Sequence, residues 1–160
     1  MKNIATFAAG CFWGVEDILR KIPGVIDTKV GYTGGKLKDP TYELVKKGDT
    51  GHAEAVRITF DPEKISYEEL LIYFFRLHDP TTPNRQQGDV GTQYRSAIFY
   101  HDEDQKKAAL GVIAEVERAK FWKEKIVTEL VPAGVFYDAE EYHQNYLKNN
   151  PGGYNCHYLR

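Results

Sequence analysis

One of the two cysteines of the chain lies where a strand-like segment gives way to a helical one. Cys11 follows the apolar residues 4–9 and Gly10, and the residues after it show helical spacing. A sulfur at the start of a helix faces unpaired backbone N–H groups and the positive end of the helix dipole, so we expect its pKa to be lowered. The thiolate is the nucleophilic form of cysteine. The position of Cys11 alone is equally consistent with a small, buried and unreactive hydrophobic residue, as most free cysteines are.

Two aromatic residues directly follow this cysteine. Phe12 and Trp13 stand between Gly10 and Gly14, at the very start of the predicted helix, where rings are poorly buried. The glycines allow close approach to the backbone, and sulfur packs well against aromatic rings. The pair therefore predicts an apolar pocket for a methyl or thioether group, with ordinary core packing as the alternative.

A carboxyl group stands on an apolar strand face. Residues 53–60 alternate in character, and this places Glu54 on the same face as Val56, Ile58 and Phe60. Burial there would raise the pKa of the carboxyl and keep its proton at neutral pH. The alternative is a strand edge exposed to solvent near Gly51.

Composition limits the classes of protein to consider. The 160 residues are 42% hydrophobic and 28% charged, as in one ordinary globular domain, and no apolar run approaches the length of a membrane span. The net charge of −2 is spread along the chain without a basic block, so nucleic acid is not an expected partner. The N-terminus lacks the pattern of a secretion signal, which predicts a cytoplasmic location. The cysteines and histidines lack zinc-site spacing, so we expect no metal and no bound cofactor.

The order of the predicted elements indicates the fold. Strands are predicted at 4–9, 25–32, 53–60, 96–100 and 126–130, and helices at 11–22, 42–47, 66–78, 102–120 and 139–149. This order predicts an α/β (α+β) fold, a split βαβ, ferredoxin-like two-layer sandwich with extra helices and an irregular C-terminal tail. Residues 1–160 form a single domain in this interpretation. Residues 150–160, with Gly152 and Gly153 ahead of Cys156, are predicted to be a mobile tail.

Several motifs resemble one family of enzymes along essentially the whole chain. They are GCFWG with Val15-Glu16, GYTGG (31–35), PTYE (40–43), GDTGHAEAV (48–56), GTQYRSAIF (91–99), YHQNYL (142–147) and GYNCHYL (153–159). Together and in this order, they resemble the type A peptide methionine sulfoxide reductases. The resemblance implies reduction of the S epimer of methionine sulfoxide, free or in proteins, by a monomeric protein-repair enzyme that draws electrons from thioredoxin.

The resemblance also implies a role for each site residue. Cys11 attacks the sulfoxide sulfur, and Glu54 is the acid that protonates the oxygen. Tyr42 and Tyr94 hydrogen-bond that oxygen, as an oxyanion hole would, and Asp89 supports the same site. Phe12 and Trp13 bind the substrate. Cys156 condenses with the resulting sulfenic acid to give a disulfide, which thioredoxin reduces.

Three other functions stay open on the residues alone. One is a cysteine hydrolase or acyl transferase in which His52 or His143 activates Cys11. A second is a thiol peroxidase, which would share the sulfenic acid but reduce peroxide. The third is a module that binds methionine-like side chains through Phe12 and Trp13 without chemistry.

Overall fold

The structure is a computed structural model that describes residues 3–160. The strands are β1 (Asn3–Ala9), β2 (Val25–Thr33), β3 (Ala53–Phe60), β4 (Arg85–Gln86), β5 (Asp89–Val90), β6 (Ser96–Tyr100), β7 (Glu129–Pro132) and β8 (Phe136–Asp138). The helices are α1 (Phe12–Leu19), α2 (Tyr42–Lys46), α3 (Tyr67–Leu77), α4 (Glu103–Ala119) and α5 (Tyr146–Asn149). Most of the predicted elements are therefore present, with shifts of a few residues at their ends.

A central sheet carries the fold. Its six strands stand in the order β7, β6, β1, β3, β2, β8, while β4 and β5 pair separately. The inner four, β6-β1-β3-β2, are antiparallel neighbours. The units β1-α1-β2 and β3-α3-β6 each have a strand of the other unit inserted between their own, which is the split βαβ arrangement. The predicted fold class is thus confirmed.

The alternation of β3 sets the two faces of this sheet. Val56, Ile58 and Phe60 lie in the main core, together with apolar residues of α1, α3 and α4. Ala53 and Ala55 point to the opposite face and belong to a smaller cluster. Because side chains alternate along a strand, Glu54 must point to the helix-covered face, where α1 begins.

Local capping fixes the start of the longer helices. Ser66 and Glu69 form the predicted capping box at α3: Ser66 Oγ accepts from the Glu69 amide at 3.1 Å, and Glu69 Oε1 accepts from the Ser66 amide at 3.2 Å. At α4, Asp102 Oδ1 accepts from the Gln105 amide at 2.8 Å. Within residues 3–160 no helix is both long and apolar enough to cross a bilayer.

The predicted final helix at 139–149 is wrong. The structure has a 3-10 turn, Glu141–His143, and then the short α5, separated by Asn145 in the left-handed region with φ of 53°. The cause is a long-range contact, because the Gln144 side chain accepts from the Val30 amide and donates to the Val30 carbonyl, both at 2.9 Å. These bonds to β2 hold Gln144 in an extended conformation, with ψ of 127°, and so interrupt the helix that the periodicity predicts.

Two strands near this segment also differ from prediction. The strand predicted at 126–130 is β7 and begins only at Glu129, beside β6 in parallel register. Strand β8 was not predicted at all, and it pairs with the end of β2. Both are short edge strands whose pairing depends on a partner distant in sequence, so local patterning carries little signal for them.

Candidate active site

The thiol of Cys11 occupies the position expected from the sequence, at the N-cap of α1. Strand β1 ends at Ala9, and Gly10 turns the chain with a φ of +96°, a value in the left-handed region that favours glycine. The Trp13 backbone amide lies near the sulfur and acts to lower the pKa of the thiol. Burial and the nearby Glu54 raise it more, so the pKa of the thiol lies well above its ordinary value. The predicted lowering of this pKa is therefore wrong, because burial outweighs the helix terminus.

The carboxyl of Glu54 lies at the same helix terminus. Its side chain is only 1% exposed, and Oε1 accepts the Phe12 amide at 3.1 Å. Burial raises the pKa of Glu54 to about 8, with Asp89 adding to the effect and the Phe12 bond opposing it. This carboxyl therefore keeps its proton at neutral pH, as the sequence predicts. The first backbone amide of α1 is thus paired with this carboxyl.

Two tyrosines lie close enough to this pair for the charge of Glu54 to affect their hydroxyl groups. Tyr42 is the first residue of α2, and Tyr94 ends the 3-10 turn that precedes β6. Burial, then the charges of Glu54 and Cys11, raise the pKa of Tyr42 to about 12. Burial and Glu54 also raise the pKa of Tyr94. Both hydroxyls therefore stay protonated and can donate hydrogen bonds.

A carboxylate missed in the sequence positions one of these tyrosines. Glu140 Oε2 accepts from the Tyr42 amide and Oε1 accepts from the Tyr32 hydroxyl, each at 2.9 Å. These hydrogen bonds lower the pKa of Glu140, although partial burial acts in the opposite direction. Glu140 lies just before the quoted motif YHQNYL, and its sequence context gives no sign that it reaches α2.

The two aromatic residues after Cys11 have different environments. Phe12 is 1% exposed and belongs to the main core, where its ring packs on Tyr32 and His143. The expectation that both rings are poorly buried is therefore wrong for Phe12. Trp13 is half-buried, with its ring stacked on that of Tyr146 at 3.9 Å. Its indole N–H donates to His143 Nδ1 at 2.8 Å.

The C-terminal segment lies against the body of the protein near the same site. Asp89 Oδ2 accepts from the Tyr154 hydroxyl at 3.1 Å and lies 3.8 Å from Cys156 Sγ. Gln87 Nε2 donates to the Cys156 carbonyl at 2.7 Å. Both cysteines are free thiols, and the charge of Cys156 contributes to the raised pKa of Cys11. The structure thus brings all the predicted site residues into one region, while the mobility of the tail stays a prediction.

The histidines proposed for a hydrolase are engaged elsewhere. His52 Nδ1 accepts from the Gly35 amide at 3.1 Å, and Nε2 lies 2.7 Å from the Leu37 carbonyl oxygen. His143 Nδ1 is occupied by the Trp13 indole. In the described part of the chain, the buried His143 Nε2 has no hydrogen-bond partner, and neither ring hydrogen-bonds the Cys11 sulfur, the contact that a base for this thiol would make.

A thiol and a neutral carboxylic acid share one helix terminus in a ferredoxin-like sandwich, with two protonated phenols beside them and a second thiol nearby. This combination defines a thiol enzyme of redox chemistry. Comparison with known proteins gives the particular family. The family model described as peptide methionine sulfoxide reductase matches residues 3–160, and the chain belongs to this family, in its type A (MsrA) branch.

Individual relatives agree with this assignment. The peptide methionine sulfoxide reductase MsrA of Mycobacterium sp. strain JLS is 54% identical over 156 residues, which cover 98% of this chain and 89% of the relative. The crystal structure of reduced Mxr1 from Saccharomyces cerevisiae superposes with a TM-score of 0.94 at 44% identity, covering 99% of this chain and 92% of that one. Mxr1 in complex with Trx2 gives a TM-score of 0.68 at 32% identity, with coverage of 99% and 90%.

Proposed function

We propose that this chain reduces methionine S-sulfoxide, free and in proteins, to methionine, with Cys11 as the nucleophile. Family membership supports the reaction. The observation that carries the mechanism is the buried Glu54, whose pKa of about 8 leaves it protonated beside the thiol at neutral pH. A sulfoxide sulfur is a poor electrophile unless its oxygen receives a proton, and Glu54 is the acid that supplies it.

The first step balances without an outside proton. The Cys11 sulfur attacks the sulfoxide sulfur and loses its own proton, while the oxygen takes a proton from Glu54. The oxygen then passes to Cys11 as a sulfenic acid, and methionine leaves; the thiol proton restores Glu54. Tyr42 and Tyr94 donate hydrogen bonds to the oxygen as charge develops on it. Asp89 supports this site from β5.

Trp13 and Phe12 are proposed to bind the substrate in different ways. The half-buried Trp13, fixed by the Tyr146 ring and by His143, offers a rigid apolar surface for the substrate methyl group. Phe12 lies behind it in the core. Fixing the indole before substrate arrives reduces the entropy lost on binding.

Cys156 is proposed to resolve the sulfenic acid as a disulfide, which thioredoxin then reduces. The relative Mxr1, crystallised with Trx2, supports thioredoxin as the donor. The tail that carries Cys156 would have to move from its position against Asp89 and Gln87 to expose the disulfide to its reductant. The same movement would also break the Tyr154–Asp89 and His157–Ala9 bonds of this tail.

We further propose that the enzyme is a cytoplasmic monomer. A reducing compartment agrees with the two free thiols and with recycling by thioredoxin. All the proposed site residues belong to one chain, so the reaction needs no second copy. Cell fractionation and light scattering test these two points.

Replacing Glu54 by Gln tests the mechanism. The amide still accepts the Phe12 bond but cannot protonate the oxygen, so methionine release in a single turnover should slow by about 100- to 10,000-fold. Glu68→Gln, at an exposed carboxyl in the first turn of α3, is the matched control. A change below about threefold in Glu54→Gln would remove Glu54 from its role as the acid.

A further inference from the structure

His157 follows the proposed resolving cysteine and is only 7% exposed. Its Nε2 lies 2.7 Å from the Ala9 carbonyl oxygen. A carbonyl only accepts hydrogen bonds, so Nε2 must carry the hydrogen and, in the neutral ring, Nδ1 must carry the free lone pair. The end of β1 therefore fixes the tautomer of His157.

The free lone pair of Nδ1 faces the thiol of Cys156. The distance from Nδ1 to Cys156 Sγ is 3.7 Å, within the range for a hydrogen bond to sulfur. The ring lies over Gly14, where an added Cβ would come within 2.5 Å of Nδ1. Asn155 Oδ1 accepts from the His157 amide at 2.9 Å and so shapes the tail around the ring. The absence of a side chain at Gly14 gives this ring its place.

We propose that His157 is a catalytic residue of the resolving step and acts as the general base that takes the proton of the Cys156 thiol. A nucleophile, a base within reach, and a third group that orients the base form the arrangement found in activated thiol and hydroxyl nucleophiles. Here these are Cys156, His157 and the Ala9 carbonyl. The proposal rests on the proposed function, because it needs a sulfenic acid on Cys11.

The step balances in atoms and electrons. Cys156 Sγ attacks the Cys11 sulfur, the S–S bond forms, and the S–O bond of the sulfenic acid breaks. The thiol proton moves to His157 Nδ1, and the oxygen leaves as water with a proton from Glu54. The imidazolium and the carboxylate then return to neutral by proton exchange through solvent. No outside reductant is consumed, because the sulfenic sulfur of Cys11 is reduced as the Cys156 sulfur is oxidised.

The surroundings keep the ring neutral. Burial lowers the pKa of His157, and Arg160 acts in the same direction, whereas Asp89 and the Ala9 bond raise it. The ring is thus unprotonated at neutral pH, as a base must be. Asp89 Oδ2 is a second acceptor near the thiol, 3.8 Å from Sγ, but it also accepts from the Tyr154 hydroxyl.

The test compares two rates in one single-turnover experiment without donor. Methionine release reports the first step, and disulfide formation between the Cys11 and Cys156 peptides, measured by quenching and mass spectrometry, reports the second. His157→Gln keeps an N–H that reaches the Ala9 carbonyl but lacks the base. We expect the ratio of the second rate to the first to fall about 100-fold or more, with sulfenic acid trapped by dimedone. Tyr158→Phe, at an exposed ring in the same tail, is the control.

Two results overturn the proposal. The first is a ratio of disulfide formation to methionine release in His157→Gln that stays within about threefold of wild type. The Gln side chain can keep a structural role but cannot act as a base, so such a result would show that the role is only structural. The second result needs no variant and comes from ¹⁵N spectra of the wild-type His157 ring. We expect hydrogen on Nε2 and none on Nδ1 at neutral pH, and the opposite tautomer would exclude His157 as the base. A wild-type protein that releases no methionine would instead refute the proposed function.

Discussion

The proton on Glu54 makes stability depend on pH in a direction that can be worked out. Unfolded Glu54 has its ordinary pKa near 4.5, whereas in the fold burial raises the pKa to about 8. Between these two values the folded protein holds a proton that the unfolded chain has lost. Stability is therefore fully present below the lower value and falls as pH rises, until the folded carboxyl also ionises.

The size of the effect follows from the two pKa values. At 1.36 kcal/mol for each pH unit, the free energy of unfolding should fall by about 4 kcal/mol between about pH 5 and about pH 8.5. Glu54→Gln cannot titrate, so the fall attributable to this residue should be missing in that variant. Guanidinium unfolding of both proteins across this range measures the difference between them. Parallel pH profiles would refute the claim that the fold keeps this carboxyl protonated.

Three further predictions concern other residues. Cys156→Ser should release about one methionine per enzyme and then stall with thioredoxin, because the sulfenic acid has no partner; sustained turnover in the same coupled assay would exclude resolution by Cys156. Tyr42→Phe and Tyr94→Phe should each slow single-turnover methionine release by about 10- to 1000-fold, because each removes one donor to the developing oxyanion; rates equal to wild type would remove that hydroxyl from the site. Ser66→Ala breaks the capping box of α3, so it should lower the free energy of unfolding, measured in urea, by about 1 kcal/mol and leave the rate of methionine release unchanged. An unchanged midpoint of urea unfolding would show that the cap does not stabilise the protein.

Local patterns were sufficient for the elements that position the nucleophile and the acid. The alternation over 53–60 gives both the strand β3 and the direction of Glu54, since one register decides which face every side chain takes. The pairing of Ser66 with Glu69 likewise gives the start of α3 from residues only three apart. Such signals need no knowledge of distant contacts.

The parts that sequence reasoning missed depend on contacts between distant residues. The segment around Gln144 has a helical spacing of apolar residues, but the bonds to Val30 hold Gln144 in an extended conformation and interrupt the helix. Glu140 reaches Tyr42 and Tyr32 across a similar separation. The predicted lowering of the Cys11 pKa is wrong for a related reason. The helix terminus can be predicted from the sequence, whereas the depth of burial and the neighbouring carboxyl are properties of the folded chain.

The raised pKa of Cys11 bears on the choice between a sulfoxide reductase and a thiol peroxidase. Oxidation of cysteine by peroxide follows the amount of thiolate, and here burial and Glu54 keep the resting sulfur protonated. A peroxidase needs the opposite environment, a thiolate present before its substrate arrives. A sulfoxide that accepts the proton of Glu54 leaves a carboxylate able to take the thiol proton, so the nucleophile is produced where the oxygen is being removed. The Cys11 thiol and the Glu54 carboxyl, both protonated in the resting site, thus hold the two protons that sulfoxide reduction moves.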